Sequence, residues 1–240
     1  MEPYYQDDSV TIYNARCEDV LPSLKPVDLV VTSPPYNKGK QSGDHANMRD
    51  GYSSYRDDMP DDQYVKWQQD VISELWRLTS PHGAIFYNHK VALRNGQAYL
   101  PTRYLPDEAI LRQVIIWNRR GGVNWNASHF CPQHEWVLLL AHPGFRLSSR
   151  SASAPGDVWD LGIDHGKERH PCAFPVSLPS TAINAASPQT VLDPFMGSGS
   201  TLRAAKNAGV RSVGIELDER YCEIAVQRLS QESLDFGDAA

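Results

Sequence analysis

The chain has 240 residues, 41% hydrophobic and 22% charged, with a formal net charge of −6. This suits one ordinary globular domain with enough chain to bury a sizeable core. It excludes a protein that coats nucleic acid through bulk positive charge, and no apolar run approaches the length that spans a bilayer.

The opening stretch, Met1–Asp8, is polar and acidic and lacks the basic and apolar regions of a secretory signal. Cys17, Cys131, Cys172 and Cys222 form no CxxC pair. Reduced thiols and a cytoplasmic location are therefore expected. Val10–Tyr13 reads as a strand and Asp19–Leu24 as a short helix. Val27–Thr32 is apolar and β-branched, the pattern of a buried strand. Asn37–Asp58 is polar and glycine-bearing; a loop this long in a compact domain is functional or disordered. Pro60 then suits the start of a helix, with Asp61 and Asp62 at the positive end of its dipole. Tyr64, Trp67, Val71, Leu75 and Leu78 recur at helical spacing and face a core. Ser80–Gly83 ends this helix, and Ala84–Tyr87 is the next strand. Asp107–Gln113 reads as helical, Val114–Trp117 and Trp136–Ala141 as strands. Pro143–Glu168 is polar and poor in periodic signal. Thr181–Ala186 reads as a helix and Thr190–Leu192 as a strand. Ser200–Ala208 is a helix closed by Gly209, Val213–Glu216 a strand and Glu219–Leu229 a helix, with a polar tail from Ser230. Strands alternating with helices indicate an α/β fold on a mainly parallel sheet.

Two strings carry chemistry. Ser33-Pro34-Pro35-Tyr36 follows a buried strand, so it emerges at the carboxyl edge of the sheet, where α/β folds bind ligands. Each proline holds the preceding residue extended, which stiffens the loop. Ser33 Oγ and the Pro34 carbonyl can accept hydrogen bonds, and Tyr36 supplies a ring. Two acceptors and a ring suit the exocyclic amine of a flat base. Stacking on such a base contributes about 1–3 kcal/mol, and a base inside a duplex must first be turned out. In the second string, Asp193 to Gly199, Gly197 and Gly199 let the backbone approach a ligand. Glu216, closing the next strand, stands where a nucleotide-binding unit places an acid against a ribose diol. The string is not GxGxxG. An acid at Asp193 would repel a pyrophosphate and welcome an ammonium. S-adenosylmethionine has an ammonium and a ribose but no phosphate.

At these residues the chain resembles the DNA amino-methyltransferases. Ser33–Tyr36 matches that family's catalytic Pro-Pro-aromatic motif, Asp193–Gly199 its Asp-Pro-Phe-x-Gly-Ser-Gly cofactor motif, and Arg169–Pro179 a further cofactor motif. Catalytic motif first and cofactor motif last is the circularly permuted β-class order. The resemblance implies a Rossmann-like S-adenosylmethionine-dependent methyltransferase fold, a mainly parallel sheet with helices on both faces. It implies one domain over 1–240, with insertions at 37–60 (a DNA or substrate loop) and 143–168 (a short target-recognition segment). The cofactor would be S-adenosyl-L-methionine and the substrate double-stranded DNA. Ser33, Pro34, Pro35 and Tyr36 would be catalytic. Asp193, Phe195, Gly197, Ser198 and Gly199 would line the methionine end of the cofactor, and Glu216 would hold the ribose. His170, Ala173, Phe174 and Pro175 would close the pocket, with Cys17 near the adenine. Ala15-Arg16 stands before Cys17 where the family often has Gly-Asp, which removes an acidic contact there.

The short recognition segment implies that a second subunit, or Asn37–Asp58 with Tyr52, Tyr55 and Arg56, helps to read DNA. A homodimer and a cognate restriction nuclease are expected partners. Trp117–Arg120 and Trp125 read either as an aromatic-basic DNA surface or as core and solvated residues. His129, Cys131 and His134 lack a fourth ligand at metal spacing, so no metal is expected. Ser33 favours cytosine N4 as the target. Adenine N6 is the alternative, followed by an amine in RNA or protein.

Overall fold

The computed structural model describes residues 1–37, 58–121, 128–162 and 174–230. Expectations for Tyr52, Tyr55, Arg56, Trp125, His170 and Ala173 lie outside the described residues. In chain order the elements are β1 (Tyr5–Gln6), β2 (Val10–Asn14), α1 (Cys17–Val20), β3 (Val27–Thr32), α2 (Asp61–Leu78) and β4 (Thr79–His89). Then come β5 (Ala92–Arg94), β6 (Gln97–Tyr99), β7 (Leu111–Asn118), β8 (His134–Ala141) and β9 (Val158–Asp160). The chain continues through α3 (Ser177–Ala186), β10 (Thr190–Asp193), α4 (Ser200–Asn207), β11 (Arg211–Glu216) and α5 (Glu219–Ser230).

Among the described residues a nine-stranded sheet runs β1-β2-β11-β10-β3-β4-β8-β7-β9, with β5 and β6 as a separate hairpin. The block from β2 to β4 is parallel throughout. Only β1 and β8 run against the rest of the large sheet. The alternation of side chains along a strand divides the core. Val30, Ile85, Leu138 and Leu192 pack with α2 residues Tyr64, Val71, Ile72 and Leu75. Leu29, Val31, Phe86 and Val191 pack on the other face with Leu178, Ala182 and Ile183 of α3 and Ala204 and Ala205 of α4. α5 covers Val10 and Ile12 of β2 through Cys222, Ala225 and Leu229. Helices therefore cover both faces.

The centre positions the site. β3 and β10 are parallel neighbours, with Leu29 opposite Val191 and Val30 opposite Leu192. From β3 the chain crosses through α2 to β4 on one side; from β10 it crosses through α4 to β11 on the other. Their carboxyl ends flank the point where strand order reverses, the crevice where open α/β sheets bind ligands.

Four expectations are corrected. Asp107–Gln113 is not helical: a turn precedes β7, which begins at Leu111 opposite Leu140, so sheet pairing outweighs the local helical pattern. Ser80–Gly83 is not a terminating loop, because β4 starts at Thr79 directly after α2, with an irregular register against β3 between Val27 and Leu29. The first helix begins at Cys17 rather than Asp19 and tightens into a 3-10 turn at Leu21–Ser23, where Pro22 lacks the N–H needed to continue it. The polar stretch after Pro143 contains β9, which pairs with β7 and buries Trp159 to 5% exposure.

Candidate active site

The two strings meet although they lie far apart in the chain. Thr32 Oγ1, at the end of β3, donates to Asp193 Oδ1, at the end of β10, over 2.7 Å and across 161 positions of sequence. Asp193 is buried to 1% exposure. Its second oxygen accepts from Thr201 Oγ1 of α4 at 2.7 Å, and Phe195 N–H donates to Oδ1 at 3.1 Å. Burial pushes the Asp193 pKa up to about 6, against the lowering effect of these three bonds. Both carboxylate oxygens are thus engaged internally. The acid braces the cofactor-side loop to β3 and α4.

The rest of that loop is built for close approach. Gly197 and Gly199 have φ of 50° and 82°, and a Cβ at Gly199 would stand 3.0 Å from Ala225 Cβ. Gly197 N–H donates to Glu216 Oε2 at 3.0 Å, and Asp218 N–H donates to Oε1 at 2.8 Å. The end of β11 therefore lies against the loop. Burial raises the Glu216 pKa to about 7 despite these bonds. Ser198 is 5% exposed. Phe195 packs against Trp67 of α2 at a ring distance of 5.6 Å, and Trp67 Nε1 donates to Glu18 at 2.7 Å.

The catalytic-side loop is tied down more firmly than its sequence suggests. Ser33 is half-buried and Pro34 buried. Tyr64 Oη of α2 donates to the Pro35 carbonyl at 2.6 Å and lies 2.9 Å from His89 Nε2. His89 is 1% exposed, and burial lowers its pKa to about 4, so it is neutral at ordinary pH. Tyr36 is only 8% exposed, and its ring lies 4.6 Å from that of His89. Its hydroxyl sits among Ser33 Oγ at 2.7 Å, Asn88 Nδ2 at 2.7 Å and Glu135 Oε2 at 2.9 Å. Arg119 pairs with the other Glu135 oxygen at 3.1 Å.

Sequence reasoning missed Asn88, His89 and Glu135, and it read Arg119 as a DNA-facing or solvated residue rather than as the partner of Glu135. Asn88-His89 directly follows the apolar Ala84–Tyr87 run, so its place at the carboxyl edge could have been read. Glu135 could not, because it reaches this edge only through the antiparallel direction of β8, which sets His89 opposite Trp136.

The other described residues expected at the cofactor are buried. Cys17 is 3% exposed in the core with Val20 and Leu21, and burial raises its thiol pKa. Cys17 opens α1 beside the end of β11, where Ala15 N–H donates to Glu216 O at 3.1 Å. Phe174 is 6% exposed and packs in the layer of α3 and α4; Pro175 is buried beside it. Among the described residues, no group of three or more His, Cys, Asp or Glu is placed to hold a metal ion. No described helix is long and apolar enough to cross a membrane.

A doubly wound sheet whose acceptor-bearing loop and glycine-rich, acid-flanked loop meet at the switch point is a Rossmann-like fold with a ligand site at that edge. Residues 27–227 match the family model described as DNA methylase. The chain is 30% identical to type II methyltransferase M.ScaI of Streptomyces caespitosus, covering 97% of this chain and 85% of the relative. It is 29% identical to type II methyltransferase M.BglII of Bacillus subtilis, covering 92% of this chain and 69% of the relative. Among solved structures, the cytosine-N4-specific PvuII DNA methyltransferase aligns with a TM-score of 0.78 at 16% identity, covering 97% of this chain and 90% of that one. The M1.HpyAVI–SAM complex aligns with a TM-score of 0.61 at 19% identity, covering 91% and 99%. At these identities the structures establish the fold. The chain belongs to the N4/N6 DNA methylase family, and it is an S-adenosylmethionine-dependent DNA methyltransferase.

Proposed function

We propose that this enzyme methylates the N4 amine of cytosine in double-stranded DNA, on a base turned out of the duplex. The observation that carries the reading is the first residue of the catalytic loop. Ser33, a neutral acceptor rather than a carboxylate or amide, stands at the β3 edge, and Pro34 follows it with a carbonyl that has no bond among the described residues. In this reading the two oxygens accept the hydrogens of the amine. They hold its nitrogen pyramidal, so that its lone pair is aimed at the sulfonium methyl. Pro35 keeps the loop stiff and Tyr36 lies against the base. Gly197, Ser198, Gly199 and Phe195 line the cofactor, Asp193 fixes their loop, and Glu216 accepts from the ribose.

The edge around the site supports a DNA-facing reading. Asn37 makes two bonds of 2.7 Å to the backbone of Met59, so the insertion at 37–60 departs from and returns to the active site. Phe130, in the connection from β7 to β8, is 97% exposed at this same edge. The chain is read as one domain whose segments 37–60 and 143–168 contact DNA. It would act in the cytoplasm as a homodimer, as the modification partner of a restriction nuclease. The naming of both relatives as type II methyltransferases supports that last point. Transfer of a tritiated methyl group to duplex DNA, structured RNA and protein tests the substrate class. Label in duplex DNA that Ser33→Ala abolishes is expected; label confined to RNA or protein overturns the reading.

A further inference from the structure

The hydrogens around Tyr36 set a direction at Ser33. Tyr36 Oη lies 2.9 Å from Glu135 Oε2, and a carboxylate can only accept, so the phenolic hydrogen is given to Glu135. Asn88 Nδ2 donates to the same phenolic oxygen at 2.7 Å. The 2.7 Å contact between Ser33 Oγ and Tyr36 Oη must then run from serine to tyrosine, because the tyrosine hydrogen is already engaged. The Ser33 hydrogen points back toward Tyr36; its oxygen takes one long contact from Asn88 Nδ2 at 3.4 Å and keeps a lone pair for a ligand.

Glu135 is itself fixed. It is 6% exposed, pairs with Arg119 Nη1 at 3.1 Å through Oε1, and accepts from Asn88 Nδ2 at 2.8 Å through Oε2. Arg119 also donates to the Pro132 carbonyl at 3.1 Å, and its backbone N–H donates to Gln133 O at 2.9 Å. These bonds hold the entry into β8.

The direction matters chemically. A serine hydroxyl can donate or accept. Donating to the target amine would occupy the lone pair that must attack the methyl group. Accepting an N–H leaves that lone pair available, and more so as positive charge develops on nitrogen in the transition state.

We propose that Glu135 is a positioning residue for methyl transfer: acting through Tyr36, it makes Ser33 a fixed hydrogen-bond acceptor for the target amine. This rests on the assignment of Ser33 to the amine under the proposed function. Asn88 supports the arrangement, and Arg119 fixes which carboxylate oxygen faces Tyr36.

Glu135→Gln tests the proposal almost isosterically. Arg119 can only donate, so it selects the amide oxygen of the new side chain and turns the amide NH2 toward Tyr36 and toward Asn88 Nδ2, which loses its acceptor there. The phenolic hydrogen then swings to Ser33, and the serine hydrogen swings out toward the amine. Steady-state kinetics on duplex DNA are measured for Glu135→Gln, Tyr36→Phe and the double variant, with S-adenosylmethionine affinity by calorimetry. A roughly 10–100-fold fall in kcat is expected for Glu135→Gln, below the cost of deleting a transition-state donor outright, with cofactor affinity unchanged. In the Tyr36→Phe background the same substitution should add nothing, because the hydroxyl that transmits the effect is gone. Glu135→Asp, which restores an acceptor-only group, should recover part of the rate lost in Glu135→Gln. Additive losses in the double variant, an equal loss of cofactor affinity, or a Glu135→Asp rate no better than Glu135→Gln would overturn the proposal. Full activity in Ser33→Ala would instead remove the assignment on which it rests.

Discussion

Thr201→Val tests whether Asp193 serves as an internal brace. Thr201 is fully buried, and its hydroxyl donates to Asp193 Oδ2 at 2.7 Å. Valine has nearly the same shape, so the substitution deletes a hydrogen bond without opening a cavity. Above pH 6 Asp193 is ionised, and the variant leaves a buried carboxylate one donor short, at a cost of about 1.5–3 kcal/mol. Near pH 5 the carboxyl is largely protonated, and the cost falls to about 1 kcal/mol, the worth of a neutral bond. Burial sets the folded pKa at about 6, above the ordinary 3.8. The contribution of this group to stability is therefore present at low pH and lost as pH rises through about 6. Removing a donor raises that folded pKa further, so the variant's deficit grows as pH rises above about 6, where the parent carboxyl has ionised and the variant's has not. Urea unfolding of both proteins without cofactor at about pH 5 and pH 8 measures it, provided m is unchanged. Equal deficits at the two pH values, or a deficit under about 0.5 kcal/mol at pH 8, would refute an ionised, hydroxyl-braced Asp193.

Further outcomes follow from the same geometry. Glu216, raised to about 7 by burial, is protonated in mildly acid solution. A ribose hydroxyl that donates to the ionised form should make S-adenosylmethionine affinity rise with pH through about 7; calorimetry should find this slope flattened in Glu216→Gln, and an unchanged slope would contradict the ribose assignment. In Gly214→Ala the added Cβ would overlap Met196 Sδ and stand 2.8 Å from Leu202 Cδ2. Overpacking of about 1–3 kcal/mol is expected by chemical denaturation, and a neutral result would show that this layer yields more readily than its packing implies. Tyr64→Phe removes the 2.6 Å bond to the Pro35 carbonyl. It should lower methylation of duplex DNA while leaving cofactor affinity intact, and parallel losses would mean that α2 has shifted as a whole.

The sequence made the centre of the molecule readable and its flank much less so. Val27–Thr32 and Thr190–Leu192 are apolar strands that each end in a chemically distinctive loop, and both lie where their patterns put them. Gly209, at a φ of 67°, ends the helix that it was expected to end. Periodicity reports the face of an element but not its direction. That β8 runs antiparallel, bringing Glu135 beside Tyr36, depends on the whole sheet. Strand β9 has three residues, too few for any pattern, and its burial of Trp159 depends on β7. Asp193 was recognised as important because of its string. Its partners Thr32 and Thr201 read as ordinary strand and helix residues, so the inward turn of its carboxylate was invisible. Tyr36 was read for its ring, whereas its hydroxyl makes the more specific contacts.

Under the proposed function, the Ser33 loop presents an exocyclic cytosine amine to S-adenosylmethionine. Nucleoside mass spectrometry of duplex DNA incubated with the enzyme and trideuteromethyl S-adenosylmethionine measures this directly. Labelled N4-methyldeoxycytidine is expected with the intact enzyme and none with Ser33→Ala. Label in N6-methyldeoxyadenosine, or labelled cytosine that survives Ser33→Ala, would contradict it.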